Sequence, residues 1–411
     1  MKITLLEPLG IPENVIREFS AELIKAGHEF RYYNTRTTDK KELIERSRGA
    51  DVVMIANTPY PDEVIESAEK LKMVAVAFTG IDHVGLTACR QKGVTVCNCA
   101  GYSNETVAEL TIGLAIDVLR HILPADQAVR SGGTSAGRMG NEICGRTVGI
   151  VGTGRIGVRA AQLFGAFGAN LLGYARHESA EAIAAGIHFV NLPELLRRSD
   201  IVSLHLPLNA GTRRSFGAEQ FRQMKAGAVF LNCARGAIVD NQALADALNS
   251  EKLAGAGIDV FDVEPPIPAD DPLLHAKNTV LTPHVAFASE ESMLRRAKIE
   301  FENVEAFLAG KPKNVCFLPR TCPARKISGA CRMPIQHDAP FFTHADRPWL
   351  CRAGCAESKI FSHFSAVPPV QPDPQCRSPQ SHRLTHNGKA DAPLRGVGLP
   401  CSRAGRTRGL Y

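Results

Sequence analysis

Two stretches of this chain hold residue types and spacings suited to chemistry. In TVGIVGTGRIG, Gly152, Gly154 and Gly157 stand in G-x-G-x-x-G spacing, directly after a β-branched strand and at the opening of a helix. In that setting the first glycine permits a tight turn and the second lets the backbone approach a pyrophosphate. The third lets helix and strand pack closely, and the helix N-terminus offers free N–H groups and a partial positive charge to phosphates. The chemistry implied is dinucleotide binding. An acidic residue for the adenosine ribose is expected about 20 residues on. NLLGYARHE places Ala175 there, followed by Arg176. Without a carboxylate nothing repels a 2′-phosphate, and Arg176 can pair with one, which favours NADP(H) over NAD(H). Two competing readings stand beside this one: Glu178 supplies the acid after a small shift, or Arg176 stacks on adenine. The second stretch is LTPHVAF, in which His284 follows a proline inside an apolar run. Taken alone, it reads as a satisfied core imidazole rather than a proton carrier.

The elements that must position these residues form two alternating series. KITLLEP, HEFRYYN, DVVMIAN, LKMVAVAFTG and VTVCNCA read as strands, with amphipathic helical stretches between them. Such alternation predicts a parallel sheet covered on both faces. SNETVAELTIGLAIDVLRHI follows, with Val107, Leu110, Leu114 and Val118 on one helical face and Ser103 as its expected N-cap. A second series begins at Arg146 and runs through TVGIVG, NLLGYA, IHFV, DIVSLHLPL, AVFLNCA, LAGAGIDV and TVLTPHV. It is long enough for one doubly wound domain. The last helix, ESMLRRAKIEFENVEAFLAG, is expected to return to the first domain, because the second already has its strands.

A chain of 411 residues, 44% of them hydrophobic, can bury a sizeable core in two domains. The opening MKITLLEPLG lacks the length and cleavage site of a signal peptide, and no apolar run has the length of a membrane span. A cytoplasmic protein is expected. The net charge of +6 is unevenly spread. From Leu318 onward there are 14 Lys+Arg against 5 Asp+Glu, a balance of +9, which leaves −3 for residues 1–317. Six of the 12 cysteines and 12 of the 25 prolines also fall in that tail. The remaining cysteines lack framework spacing and read as free thiols.

The ordered set GIVGTGRIG, SDIVSLHLPLNAGTRRSF, MKAGAVFLNCARGAIVD, LAGAGIDVFDVEPP and LTPHVAFAS resembles the D-isomer-specific 2-hydroxyacid dehydrogenases, a family that includes glyoxylate/hydroxypyruvate reductases and phosphoglycerate dehydrogenases. The likeness covers about residues 1–316. It implies two doubly wound parallel-sheet domains. One is a flavodoxin-like substrate domain over 1–100, completed by 285–316. The other is a Rossmann NAD(P)-binding domain over 101–284, and an irregular tail follows over 317–411. Carried over by position, it implies that Arg235 binds the substrate's carboxylate and carbonyl oxygen. Glu264 would hydrogen-bond the imidazole and His284 would be the acid/base. Asp259 would hold the nicotinamide carboxamide. Gly154, Arg155, Ile156 and Gly157 would surround the pyrophosphate, and His205, Leu206, Pro207, Thr212, Cys233 and Ala234 would line the cofactor cleft. The backbone of Thr79, Gly80 and Ile81 would help grip the substrate carboxylate. The neighbouring Asp82 and His83 read as turn residues. The resemblance also implies a homodimer using the helix after Ser103, and no metal.

The chemistry requires these residue types. Reduction of a 2-oxo acid needs a hydride, which no side chain can supply, and a proton donor that titrates near neutrality. A carboxylate beside the imidazole stabilises its charged form. A planar guanidinium clamps a carboxylate at two points. In this company His284 reads as catalytic. The resulting expectation is a 2-oxo-acid reductase acting on a small 2-oxo or 2-hydroxy acid, with no membrane as partner and nucleic acid not expected as one. A dinucleotide-sensing regulator on the same fold is the rival. Two departures stand out: Ala175 at the ribose position, and Phe287, where many members carry a small residue. The tail shows no sustained period and reads as disordered or, preferably, as an out-of-frame or misjoined translation. A nucleic-acid-binding tail and a zinc site from Cys351, Cys355, His363, His382 and His386 are the alternatives.

Overall fold

Short β-branched runs near the N-terminus form five strands: β1 (Lys2–Leu5), β2 (Glu29–Tyr32), β3 (Val52–Ile55), β4 (Met73–Val76) and β5 (Thr95–Asn98). The computed structural model that shows them describes residues 1–264 and 266–317. These strands pair in parallel in the order β2-β1-β3-β4-β5. Every residue of β3 and β4 is buried, as expected for parallel strands with helices on both faces. One face packs on the helix Glu13–Lys25, the other on the short helices Lys40–Ser47, Asp62–Ser67 and Leu86–Lys92.

The second series builds β6 (Thr147–Val151), β7 (Asn170–Tyr174), β8 (His188–Phe189), β9 (Ile201–Leu204), β10 (Ala228–Asn232), β11 (Leu253–Ile258) and β12 (Thr279–Leu281). The sheet is parallel throughout, in the order β8-β7-β6-β9-β10-β11-β12. Strand β6 pairs with both β7 and β9, so the order reverses there. The crevice beyond the C-terminal ends of β6 and β9 is the topological switch point where open α/β sheets bind ligands.

Two helices tie the series together. Asn104–Arg120 buries Ile112, Leu114, Ala115 and Val118 against Val148, Ile150, Val229 and Leu231 of the second sheet. Ser103 precedes this helix, but its hydroxyl makes no capping bond, a departure from the expected N-cap. The residue's φ of −109° and ψ of 13° fall outside the extended conformation of a side-chain cap. The last helix, Glu290–Leu308, does return to the first sheet. Its Ala297, Phe301 and Val304 join Ile3, Leu5, Val52 and Met54 in one cluster.

Two boundaries differ from the sequence reading. TVLTPHV was expected to be strand as far as the histidine, yet β12 ends at Leu281 and His284 lies in a turn. Regular structure also continues beyond Asn314: β13 (Val315–Phe317) adds antiparallel to the edge of the first sheet beside β5. Three residues are too few to show a period of two. The readings made for Leu318 onward (disorder, a misjoined frame, nucleic-acid binding, zinc) lie outside the described residues.

Candidate active site

The glycine turn leaves β6 at the switch point, and the three glycines face different constraints. Gly152 has φ +99°, and a Cβ there would lie 2.6 Å from the His205 carbonyl oxygen. A Cβ on Gly157 would lie 2.0 Å from the Gly152 carbonyl oxygen, so only glycine lets the helix Arg155–Ala166 seat this closely. Gly154 is exposed, and a Cβ there would meet nothing within 4 Å. The chain itself therefore needs no glycine at 154, whereas a ligand seated on that backbone does. The amides of the helix's first turn have no intrahelical partner and point to the same place. Exposed Arg155 and half-buried Ile156 follow. These residues fit a pyrophosphate. Gly152 N–H donates to Tyr174 O at 2.9 Å, which brings the end of β7, with Ala175 and exposed Arg176 and Glu178, beside the turn.

His284 sits in the left-handed region at φ +53°, an uncommon conformation for a non-glycine residue. Its surroundings hold it there. Its N–H donates to Asp259 O at 2.7 Å. The Asp259 carboxylate accepts from Thr282 Oγ1 (2.6 Å), Val285 N (2.9 Å) and Ala286 N (2.9 Å). The imidazole Nδ1 lies 2.5 Å from Glu264 Oε2, and Glu264 Oε1 in turn accepts from Phe261 N. Nε2 makes no hydrogen bond among the described residues, and the ring stays about one-third exposed.

Arg235 lies at the end of the turn that follows β10. Buried Asn232 shapes this turn, accepting from Ala234 N (3.0 Å) and donating to Arg235 O (3.1 Å). A Cβ on Gly236 would come within 2.0 Å of the Phe261 carbonyl, so this turn packs directly on the segment leading to Glu264. The Arg235 guanidinium reaches the first sheet: its Nε donates to Asp82 Oδ2 at 3.3 Å, and its Nη2 lies 2.0 Å from where a Cβ on Gly80 would be. The amides of Thr79, Gly80 and Ile81 make no hydrogen bond among the described residues. Asn98 Nδ2 holds their loop through Thr79 O at 2.7 Å. A T-shaped contact between Phe78 and Phe287 (centroids 4.8 Å apart) joins that loop to the histidine segment. Behind both rings, buried Arg296 places its Cζ 4.8 Å from the Phe78 centroid and 5.9 Å from that of Phe287. Four loops thus converge: 78–82, 233–236, 261–264 and 284–287.

The candidates for the cofactor cleft divide. Leu206 and Ala234 are buried in the core beneath the second sheet, so their side chains pack rather than line a cleft. Thr212 is fully buried; its hydroxyl donates to Pro207 O (2.7 Å) and accepts from Asn209 N (2.9 Å), closing its own loop. Pro207 stays exposed. His205 Nε2 lies 2.9 Å from Ser203 Oγ, and burial pushes its pKa down to about 4, which keeps the ring neutral. Burial pushes the Cys233 thiol up to about 12, so it is not a nucleophile at neutral pH. Asp259 supports the histidine turn. Its side chain is buried and its carboxylate accepts three hydrogen bonds from residues 282–286. Asn98 and Asn232 were not singled out, and Asp82 was read only as a turn residue. The only local signal was polar residues beside the loops already singled out.

Residues 112–286 match the family model of the D-isomer specific 2-hydroxyacid dehydrogenase NAD-binding domain. The chain is 41% identical over 285 residues to a glyoxylate reductase of Korarchaeum cryptofilum, covering 67% of this chain and 85% of that one. It is 36% identical over 291 residues to a hydroxypyruvate reductase of Blautia hydrogenotrophica, covering 69% and 90%. Among solved structures, D-lactate dehydrogenase from Aquifex aeolicus, complexed with NAD and lactic acid, aligns with TM-score 0.66 and 26% identity over 76% of this chain and 96% of that one. The relatives are oxidoreductases of CH–OH donors that use a nicotinamide dinucleotide, and the glycine turn described above suits that cofactor. The chain belongs to the D-isomer-specific 2-hydroxyacid dehydrogenase family.

Proposed function

We propose that this chain is a 2-oxo-acid reductase for small acids of the glyoxylate, hydroxypyruvate and pyruvate type, with His284 as proton donor and Arg235 as carboxylate clamp. The observation that carries the reading is the 2.5 Å contact of His284 Nδ1 with Glu264 Oε2, with Nε2 left without a hydrogen-bond partner among the described residues. An imidazole ordered in this way can give a proton from Nε2 to the substrate oxygen and take it back in the reverse direction. The carboxylate on Nδ1 offsets the charge of the protonated ring and fixes its orientation. Arg235, with the backbone amides of Gly80 and Ile81, forms a cationic seat for the substrate carboxylate. The bound dinucleotide supplies the hydride. Asp259 acts as a support for the histidine turn in this scheme.

The first sheet, with residues 285–316, then serves as the substrate domain and residues 101–284 as the dinucleotide domain. Ala175 and Arg176 favour NADP(H). The helix Ile122–Arg130 exposes Ile122, Leu123 and Val129, an apolar surface suited to a homodimer together with the helix before it. No helix of the described residues is long and apolar enough to cross a membrane, and a cytoplasmic enzyme is the matching reading. The test is a matrix of NADH and NADPH against glyoxylate, hydroxypyruvate and pyruvate, with chiral analysis of the products that can be chiral. Turnover to D-products is expected. L-products, or no turnover on any pair, would overturn the reading.

A further inference from the structure

The Arg235 guanidinium already holds a carboxylate from its own chain, and the scheme above makes no use of it. We propose that Asp82 is a positioning residue for the reaction: it clasps Arg235 from the opposite sheet and sets which edge of the guanidinium meets the substrate. The proposal rests on reading Arg235 as the substrate's clamp.

A guanidinium carries five N–H donors in a fixed plane. Here Nε donates to Asp82 Oδ2 at 3.3 Å and Nη1 to Ala234 O at 2.8 Å. Neither N–H of Nη2 is engaged among the described residues. Nη2 is also the group that lies against Gly80, where even a methyl group would collide with it. The open edge of the guanidinium is therefore turned toward the loop whose Gly80 and Ile81 amides have no partner among the described residues. A carboxylate at that spot would meet charged and neutral donors together. Without Asp82 the remaining hydrogen bond of the Arg235 side chain among the described residues is to the carbonyl of the residue before it, which leaves a long side chain free to rotate.

Two features argue for orientation rather than stability. The side chains of Arg235 and Asp82 are 34% and 53% exposed, and pairs that open to solvent add little to folding. The pair also spans 153 residues, from the β4 loop to the β10 loop, so it forms only when the two loops close on each other. The Asp82 carboxylate is anionic like the substrate. If it merely competed for the guanidinium, its removal would tighten substrate binding. If it positions the guanidinium, its removal weakens binding. The two roles give opposite signs.

The experiment compares the full chain with Asp82→Ala and Asp82→Asn. In the ligand-free proteins, amide hydrogen exchange is followed over segments 77–84 and 233–238. Exchange in both is expected to rise about threefold or more in Asp82→Ala, with the rest of the chain unchanged. With glyoxylate as substrate, KM is expected to rise about tenfold or more, with a smaller fall in kcat and unchanged dinucleotide affinity. Asp82→Asn, which keeps an acceptor oxygen, recovers part of both effects. Unchanged exchange and kinetics would overturn the proposal, as would a KM that falls at constant kcat. If the wild-type chain turns over no 2-oxo acid, the reductase reading fails, and the exchange comparison alone decides whether the clasp exists.

Discussion

The Nδ1 of His284 lies 2.5 Å from Oε2 of Glu264, while the backbone N–H of the same histidine is held by the carbonyl of Asp259 at 2.7 Å. One residue orients the ring and the other holds the backbone in its uncommon left-handed conformation. The two acidic residues thus have separable jobs, which mutation can tell apart.

Glu264→Gln removes the charge and keeps one oxygen for either His284 Nδ1 or Phe261 N, at a side chain still partly open to solvent. It is expected to lower kcat by about ten- to a hundredfold, part of the contribution typical of acid–base catalysis, with dinucleotide affinity and melting temperature little changed. Steady-state kinetics beside a thermal melt checks this. A large fall in melting temperature would reassign Glu264 to structure.

Asp259→Asn acts differently. An amide offers one oxygen to three donors and adds two donors of its own to a fully buried site. Stability is expected to fall by about 1–3 kcal/mol, and activity with it, because the histidine turn loses its support. Urea titration gives the stability change. A variant with full stability and lost activity would return Asp259 to the cofactor.

The glycine turn makes a paired prediction. Gly154→Ala adds a methyl group where the chain leaves open space, so the protein stays folded while dinucleotide affinity falls about tenfold or more. Gly157→Ala drives a Cβ onto the Gly152 carbonyl and should lower both affinity and melting temperature. Dinucleotide titration and thermal melts of the two variants distinguish a ligand requirement from a packing requirement.

A buried acid provides a pH test away from the chemistry. Burial pushes Glu300 well above the usual carboxylate range; nearby Arg296 opposes the shift and Glu7 adds to it. In the unfolded chain the same group titrates near its ordinary value of 4.5. Between those two values the native state binds the extra proton, so stability falls as pH rises through that window. Glu300→Gln removes the penalty. Its melting temperature should exceed that of the wild type by at least about 2 °C near pH 8, with a smaller gap near pH 5.

Much of this was legible in the sequence for a physical reason. Runs such as VVMI and MVAV are buried on both faces and show it in composition, and the glycine turn carries its own spacing. The pairing of His284 with Glu264 was implied by the family resemblance that the ordered motifs carry. What stayed hidden depends on distance in space. Asp82 meets Arg235 across 153 residues, and its polar neighbourhood suggested only a turn. Nothing local reveals that three donors from residues 282–286 also meet at the Asp259 carboxylate. Leu206 and Ala234 belong to motifs that border a cleft, yet their side chains point into the core. Strand β13 escaped notice because three residues show no period.

The most direct test of the central claim is the rate of reduced-nicotinamide oxidation by wild-type chain and His284→Gln, with glyoxylate and hydroxypyruvate, under saturating NADPH and then NADH. Turnover by the wild type is expected, with a loss of about 10²–10⁴-fold in the variant and dinucleotide affinity retained in both. Equal rates in the two proteins would remove His284 from the chemistry. Tight dinucleotide binding without turnover in the wild type would contradict the reductase itself and favour a sensor built on the same fold.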